Sequence, residues 1–157
     1  MELVIEGVDP LEVAKLLTTG VDHGGNAIEA FVDDEGGWQL RCCLASSQVG
    51  ERIAVIAYSP FPWHGPFRET GPIVVHADGC PGTWQQTSVP AHLGDRPMVL
   101  RPYGPDHKIA YDHVRHVVAG AGMAEAIVEL LQLPDVAEVY ARNPLAGCFA
   151  FTARRAG

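Results

Sequence analysis

Only two segments of this chain repeat apolar residues at helical spacing; the rest is a succession of short strand-like runs broken by Gly and Pro. In the first, Asp9 caps a helix that has Pro10 at its first position, Val13, Leu16 and Leu17 on its apolar face, and Gly20 at its end. In the second, Met123, Ile127, Leu130 and Leu131 recur at helical spacing until Pro134 stops them. Strands and helices do not alternate, so a doubly wound parallel sheet is excluded. The pattern predicts a single α+β domain over residues 1–157: a mostly antiparallel curved sheet or partial barrel of about eight strands with the helices packed on it.

Several runs carry the argument. Residues 52–59 are apolar on both faces, as a central strand requires. Residues 38–45 alternate: Trp38, Leu40, Cys42 and Leu44 would share one face of a strand, and Gln39, Arg41 and Cys43 the other. Residues 109–118 also read as a strand, and residues 137–142 and 148–154 as a closing hairpin. Between them, Pro60, Pro62 and Pro66 forbid regular structure, so residues 60–67 read as an ordered aromatic loop.

Composition sets limits on function. With 157 residues and 47% of them hydrophobic, the chain can bury a core without a stabilising metal or disulfide. The net charge is −8 and no basic run is present, so nucleic acid and anionic membrane surfaces are not expected partners. No apolar run is long enough to span a membrane and no secretory leader opens the chain, which predicts a cytoplasmic protein with Cys42, Cys43, Cys80 and Cys148 reduced.

Signatures of familiar enzymes are missing: there is no phosphate-binding glycine loop, GxSxG, HExxH or CxxC. His113 and His116, three apart on a strand, would face opposite ways and fail to share an ion. His76 and Cys80 flank the turn Asp78-Gly79, and with Cys43 they are the residues that would hold a metal if one is bound. The expectation, however, is that the thiols are small core hydrophobes, with no metal and no cofactor. Cys148, after the turn residue Gly147, is either a nucleophile or a filler. Arg41, Arg101 and Arg142 lie among apolar neighbours, where each needs a bound anion or a structural partner such as Glu29, Glu51 or Glu138.

The blocks Arg41-Cys42-Cys43-Leu44, residues 66–76 with Cys80, Arg101-Pro102-Tyr103, Arg142-Asn143 and Gly147-Cys148-Phe149 keep an order that resembles an uncharacterised bacterial family, the domain of unknown function DUF1203. This chain departs from that family at Gln39-Leu40, where members carry Pro-Cys, and at Tyr140, where His is frequent. The resemblance implies no activity. If the matching residues converge, they form a pocket suited to a small carboxylate or phosphate, over which Trp63 and His64 would close. The leading expectation is an enzyme acting on a small anionic molecule, with His76, Cys148 and Tyr103 as catalytic candidates and Arg41, Arg101, Arg142 and Asn143 as ligand anchors. A non-catalytic binding protein and a homodimer formed through an exposed strand edge are the alternatives.

Overall fold

The structure is a computed structural model that describes residues 1–119 and 122–157. It is an α+β fold of two antiparallel sheets, neither of them closed, and the contacts divide into two compact units.

The larger sheet belongs to the unit comprising residues 1–6, 65–67 and 85–157. Its strands are β1 (Leu3–Glu6), β5 (Gln85–Gln86), β6 (Met98–Tyr103), β7 (Arg115–Val117), β8 (Glu138–Arg142) and β9 (Phe149–Arg155), in the order β5-β1-β9-β8-β6-β7. The predicted hairpin is β8–β9, with Val139 opposite Ala153 and a register shift at Ala141/Arg142. Helix α3 (Met123–Leu131) turns Met123, Ile127, Leu130 and Leu131 inward, and Arg155 closes its C-terminal end by donating to the Leu131 and Val136 carbonyls. The long connection over 79–97 holds β5 and the short helix α2 (Ala91–Gly94).

The second unit, residues 7–64 and 68–84, contains α1 (Pro10–Thr19) and a sheet of β2 (Ala30–Val32), β3 (Arg52–Tyr58) and β4 (Gly71–His76), in the order β2-β3-β4. Helix α1 starts and stops as its sequence dictates: the Asp9 carboxylate accepts from the Leu11 N–H, and Gly20 takes the left-handed conformation at the end. β3 is the central strand, and no helix or strand interrupts the proline-rich stretch between Tyr58 and Gly71.

Two expected strands are corrected. Residues 38–45 form a narrow loop closed by isolated bridges, Gln39 to Ser46 and Leu40 to Val74, with a turn at Arg41-Cys42-Cys43. Leu44 takes the left-handed backbone (φ 61°) with its side chain fully buried, which no strand residue does. Within 109–118 only Arg115–Val117 is a strand; Tyr111–His113 form a 3-10 turn, and His113 pairs with Asp135 at 3.3 Å.

Candidate metal centre

The turn at residues 41–43 is clamped from three directions. The Val8 N–H donates to the Arg41 carbonyl at 2.8 Å, the Arg41 N–H to the Val74 carbonyl at 3.0 Å, and the Leu40 N–H to the Ala45 carbonyl at 2.9 Å. Gly7 lets this packing occur: a Cβ there would stand 2.1 Å from the Arg41 carbonyl oxygen and 2.3 Å from that of Cys42. The Gly7 N–H in turn holds the Trp84 carbonyl at 2.8 Å, which draws the loop after β4 alongside. Gly82 completes the approach, since a Cβ on it would meet the Cys43 Cβ at 2.5 Å.

These clamps bring three chain segments together. Cys43 comes from the turn and packs on the buried cluster Leu40, Ile53 and Val74; His76 is the last residue of β4; Cys80 follows the Gly79 turn (φ 98°). One ligand atom from each of Cys43, His76 and Cys80 lies within 4.8 Å of the other two, and all three residues are half-buried. Nε2 of His76 is 3.8 Å from the Cys43 sulfur. On its other side, Nδ1 faces Glu51 Oε2 at 3.6 Å, and that buried carboxylate oxygen has no hydrogen-bond donor of its own.

A fourth thiol stands beside the group. Burial pushes the Cys42 thiol far above its ordinary range, and the neighbouring Cys80, Cys43 and Asp9 push it further. The Cys43 thiol is also raised, first by burial and then by Cys80, although the Ala45 N–H works the other way. None of the four cysteines is in a disulfide.

Two thiolates and an imidazole are a soft donor set suited to zinc or another closed-shell soft cation. Zinc bonds of about 2.3 Å to sulfur and 2.0 Å to nitrogen give tetrahedral S···N edges of about 3.5 Å. The observed 3.8 Å between Cys43 and His76 is close to that edge. A carboxylate behind the distal ring nitrogen of a ligating His fixes its tautomer, which is the position Glu51 holds.

The other sequence candidates are placed as follows. Arg41 is buried in the same turn, donating to the Gln39 carbonyl. On the proline-rich loop, Trp63 is half-buried with its ring edge-on to Phe61 at 5.0 Å, and His64 is exposed. In the first unit, the β6–β8 register puts Arg101 opposite Tyr140 and Val99 opposite Arg142, so Arg101, Tyr103, Tyr140 and Arg142 share one sheet face. Tyr103 is fully buried against Tyr140, with its hydroxyl 3.4 Å from Arg101 Nη1. Asn143 and Cys148 build the β8–β9 turn: the Asn143 N–H donates to the Cys148 carbonyl at 2.9 Å, and Arg142 Nη1 to the Gly147 carbonyl at 2.9 Å.

Sequence reasoning missed Glu51 as the partner of His76. The register of β3 and β4, which sets Ile53 opposite His76, is the signal that finds it.

Among known proteins, a family model described as "Protein of unknown function (DUF1203)" matches residues 37–155. No curated protein and no solved structure gives a match.

Proposed function

The chain belongs to the DUF1203 family of proteins of unknown function, and because that membership assigns no chemistry, we propose from the site itself that this is a zinc-class metal-dependent enzyme for a small molecule. Cys43, His76 and Cys80 are its ligands, and Glu51 orients His76. The carrying observation is that donors from three separate segments stand within 4.8 Å of one another. Three protein ligands leave the fourth position of a tetrahedral cation for water or a substrate oxygen, the arrangement of catalytic rather than closed structural sites. A cation held there would supply Lewis acidity and lower the pKa of a water bound to it, so carboxylate- or phosphate-bearing small molecules are the substrate class proposed.

The test is elemental analysis of protein purified under mild reducing conditions without chelator, followed by zinc titration against a chromophoric competitor. One equivalent per chain is expected, lost in His76→Ala and in Cys80→Ser. Failure of the wild-type protein to hold zinc after titration would falsify the reading.

The contacts of His76 also support a second reading, in which Cys43 is a nucleophile, His76 its base and Glu51 the orienting group. Burial raises the Cys43 thiol and so works against it. Thiol-dependent turnover that persists in zinc-free Cys80→Ser protein would favour this alternative.

A further inference from the structure

We infer that Cys43 and Cys80 are a redox-active pair: a hydroperoxide joins them in a disulfide, which removes two of the three donors and expels the metal. This rests on the metal reading of Cys43, His76 and Cys80 and adds to it a site of oxidation.

Three observations carry the inference. The Cys43 and Cys80 sulfurs lie within 4.8 Å of each other, come from separate segments and are in no disulfide. A disulfide holds its sulfurs about 2 Å apart, a gap that a rotamer change of one thiol closes. The backbone also lays the segment that carries Cys80 against Cys43: a Cβ on Gly82 would stand 2.5 Å from the Cys43 Cβ and 3.7 Å from its sulfur. Finally, the two thiols differ in cover. Both are half-buried, but Cys43 packs on Leu40, Ile53 and Val74 and lies against Gly82, whereas Cys80 sits on a stretch outside any helix or strand. A small oxidant arriving from water therefore meets Cys80 first, with the Cys43 sulfur behind it.

The chemistry balances with the hydroperoxide as the only co-reactant. The Cys80 sulfur attacks the terminal peroxide oxygen; the O–O bond breaks, a Cys80 sulfenic acid forms, and the alkoxide or hydroxide leaves and takes a proton. The Cys43 sulfur then attacks the Cys80 sulfur, the S–OH bond breaks, and hydroxide leaves and is protonated to water. In metal-free protein the Cys43 proton passes to His76 Nε2, 3.8 Å away, and from there to the departing hydroxide. Each sulfur gives up one electron, and both electrons end on the peroxide oxygens. Neither sulfur then remains a thiolate donor, and His76 alone holds the cation poorly. A thiol reductant reverses the step.

The experiment treats zinc-loaded full-length protein with hydrogen peroxide, follows released zinc with a chromophoric chelator, and maps disulfides by peptide fragmentation. Wild-type protein is expected to lose zinc and gain the Cys43–Cys80 bond in equal amounts, both reversed by dithiothreitol. Protein stripped of metal beforehand is expected to form the same bond. Cys42→Ala, a change outside the three-donor set, and Cys148→Ser, a change in the other unit, should release zinc at the wild-type rate. Zinc that stays bound, zinc that leaves without a Cys43–Cys80 bond, or a bond from Cys42 in its place would overturn the inference while leaving the metal reading intact. So would release abolished by either variant. If Cys42→Ala does not fold, the wild-type disulfide map still decides. Wild-type protein that binds no zinc overturns the metal reading and this inference together.

Discussion

Two buried aspartates show how single residues hold the loops of the second unit. Asp33 accepts from the Ser47 hydroxyl at 2.6 Å and from the Gly36 and Glu35 N–H groups at 2.9 and 3.0 Å, fixing the turn that leads toward residues 38–47. Asp22 accepts from the N–H groups of Gly24, Asn26 and Ala57 and so ties the 22–26 loop to β3. The Ser47 bond and the Gly36 N–H hold the Asp33 carboxyl below the ordinary value of 3.8, against the opposing effect of burial. For Asp22, burial pushes upward, but the bonds from Ala57, Asn26 and Gly24 outweigh it. Both groups therefore bind fewer protons folded than unfolded. Their stabilisation is complete above the unfolded value and is lost as pH falls through the lower folded values. Asp33→Asn should lower stability at pH 7 and flatten its decline below pH 4, as read by urea midpoints across pH. An acid limb as steep as wild type would contradict this role.

At the scale of elements, the loop over residues 38–47 decides the site, and Leu44 is its critical joint. A left-handed backbone costs a non-glycine residue about 1–2 kcal/mol, which burial of the Leu44 side chain offsets. Truncation to Ala should remove about 2–4 kcal/mol of packing and keep the backbone penalty. Leu44→Gly removes slightly more side chain but also that penalty, so it should be the more stable of the two, inverting the order found at ordinary buried sites. Urea denaturation of the pair checks this; an Ala variant at least as stable as the Gly variant would show that the turn stores no such strain.

The same loop marks where sequence was legible and where it was not. Helices α1 and α3, the central strand β3 and the β8–β9 hairpin carry local signals (caps, apolar period, breakers), and each appears where those signals lie. Trp38, Leu40, Cys42 and Leu44 imitate the period of a strand, but contacts distant in sequence override it: the Leu40–Val74 bridge and the Gly7 packing on Arg41 and Cys42. His76, Cys80 and Cys43 were legible as potential ligands by residue type and turn chemistry. Their convergence, and the place of Glu51, depended on a register between strands that periodicity does not encode.

At the scale of the whole molecule, the excess acidic charge and the proposed metal centre belong to the same unit. The unit of residues 7–64 and 68–84 carries ten acids against four bases, whereas the other unit carries nine against seven. A net −6 around the proposed centre attracts a divalent cation at low ionic strength, and salt screens that attraction over about 10 Å at 0.1 M. Among the described residues no helix is long and apolar enough to cross a membrane. Binding to the folded state alone stabilises by mass action, about 2.7 kcal/mol at a hundred times the dissociation constant. The proposed ligands all lie in the second unit, so amide-exchange protection on adding zinc should grow chiefly over residues 7–64 and 68–84, and most around residues 40–45 and 74–84. His76→Ala, with the same zinc added, should show no gain. The expectation would be refuted by gains of equal size throughout residues 85–157, because the contact pattern would then fail to mark the unit that zinc holds folded. Gains that persist in His76→Ala would place the cation elsewhere.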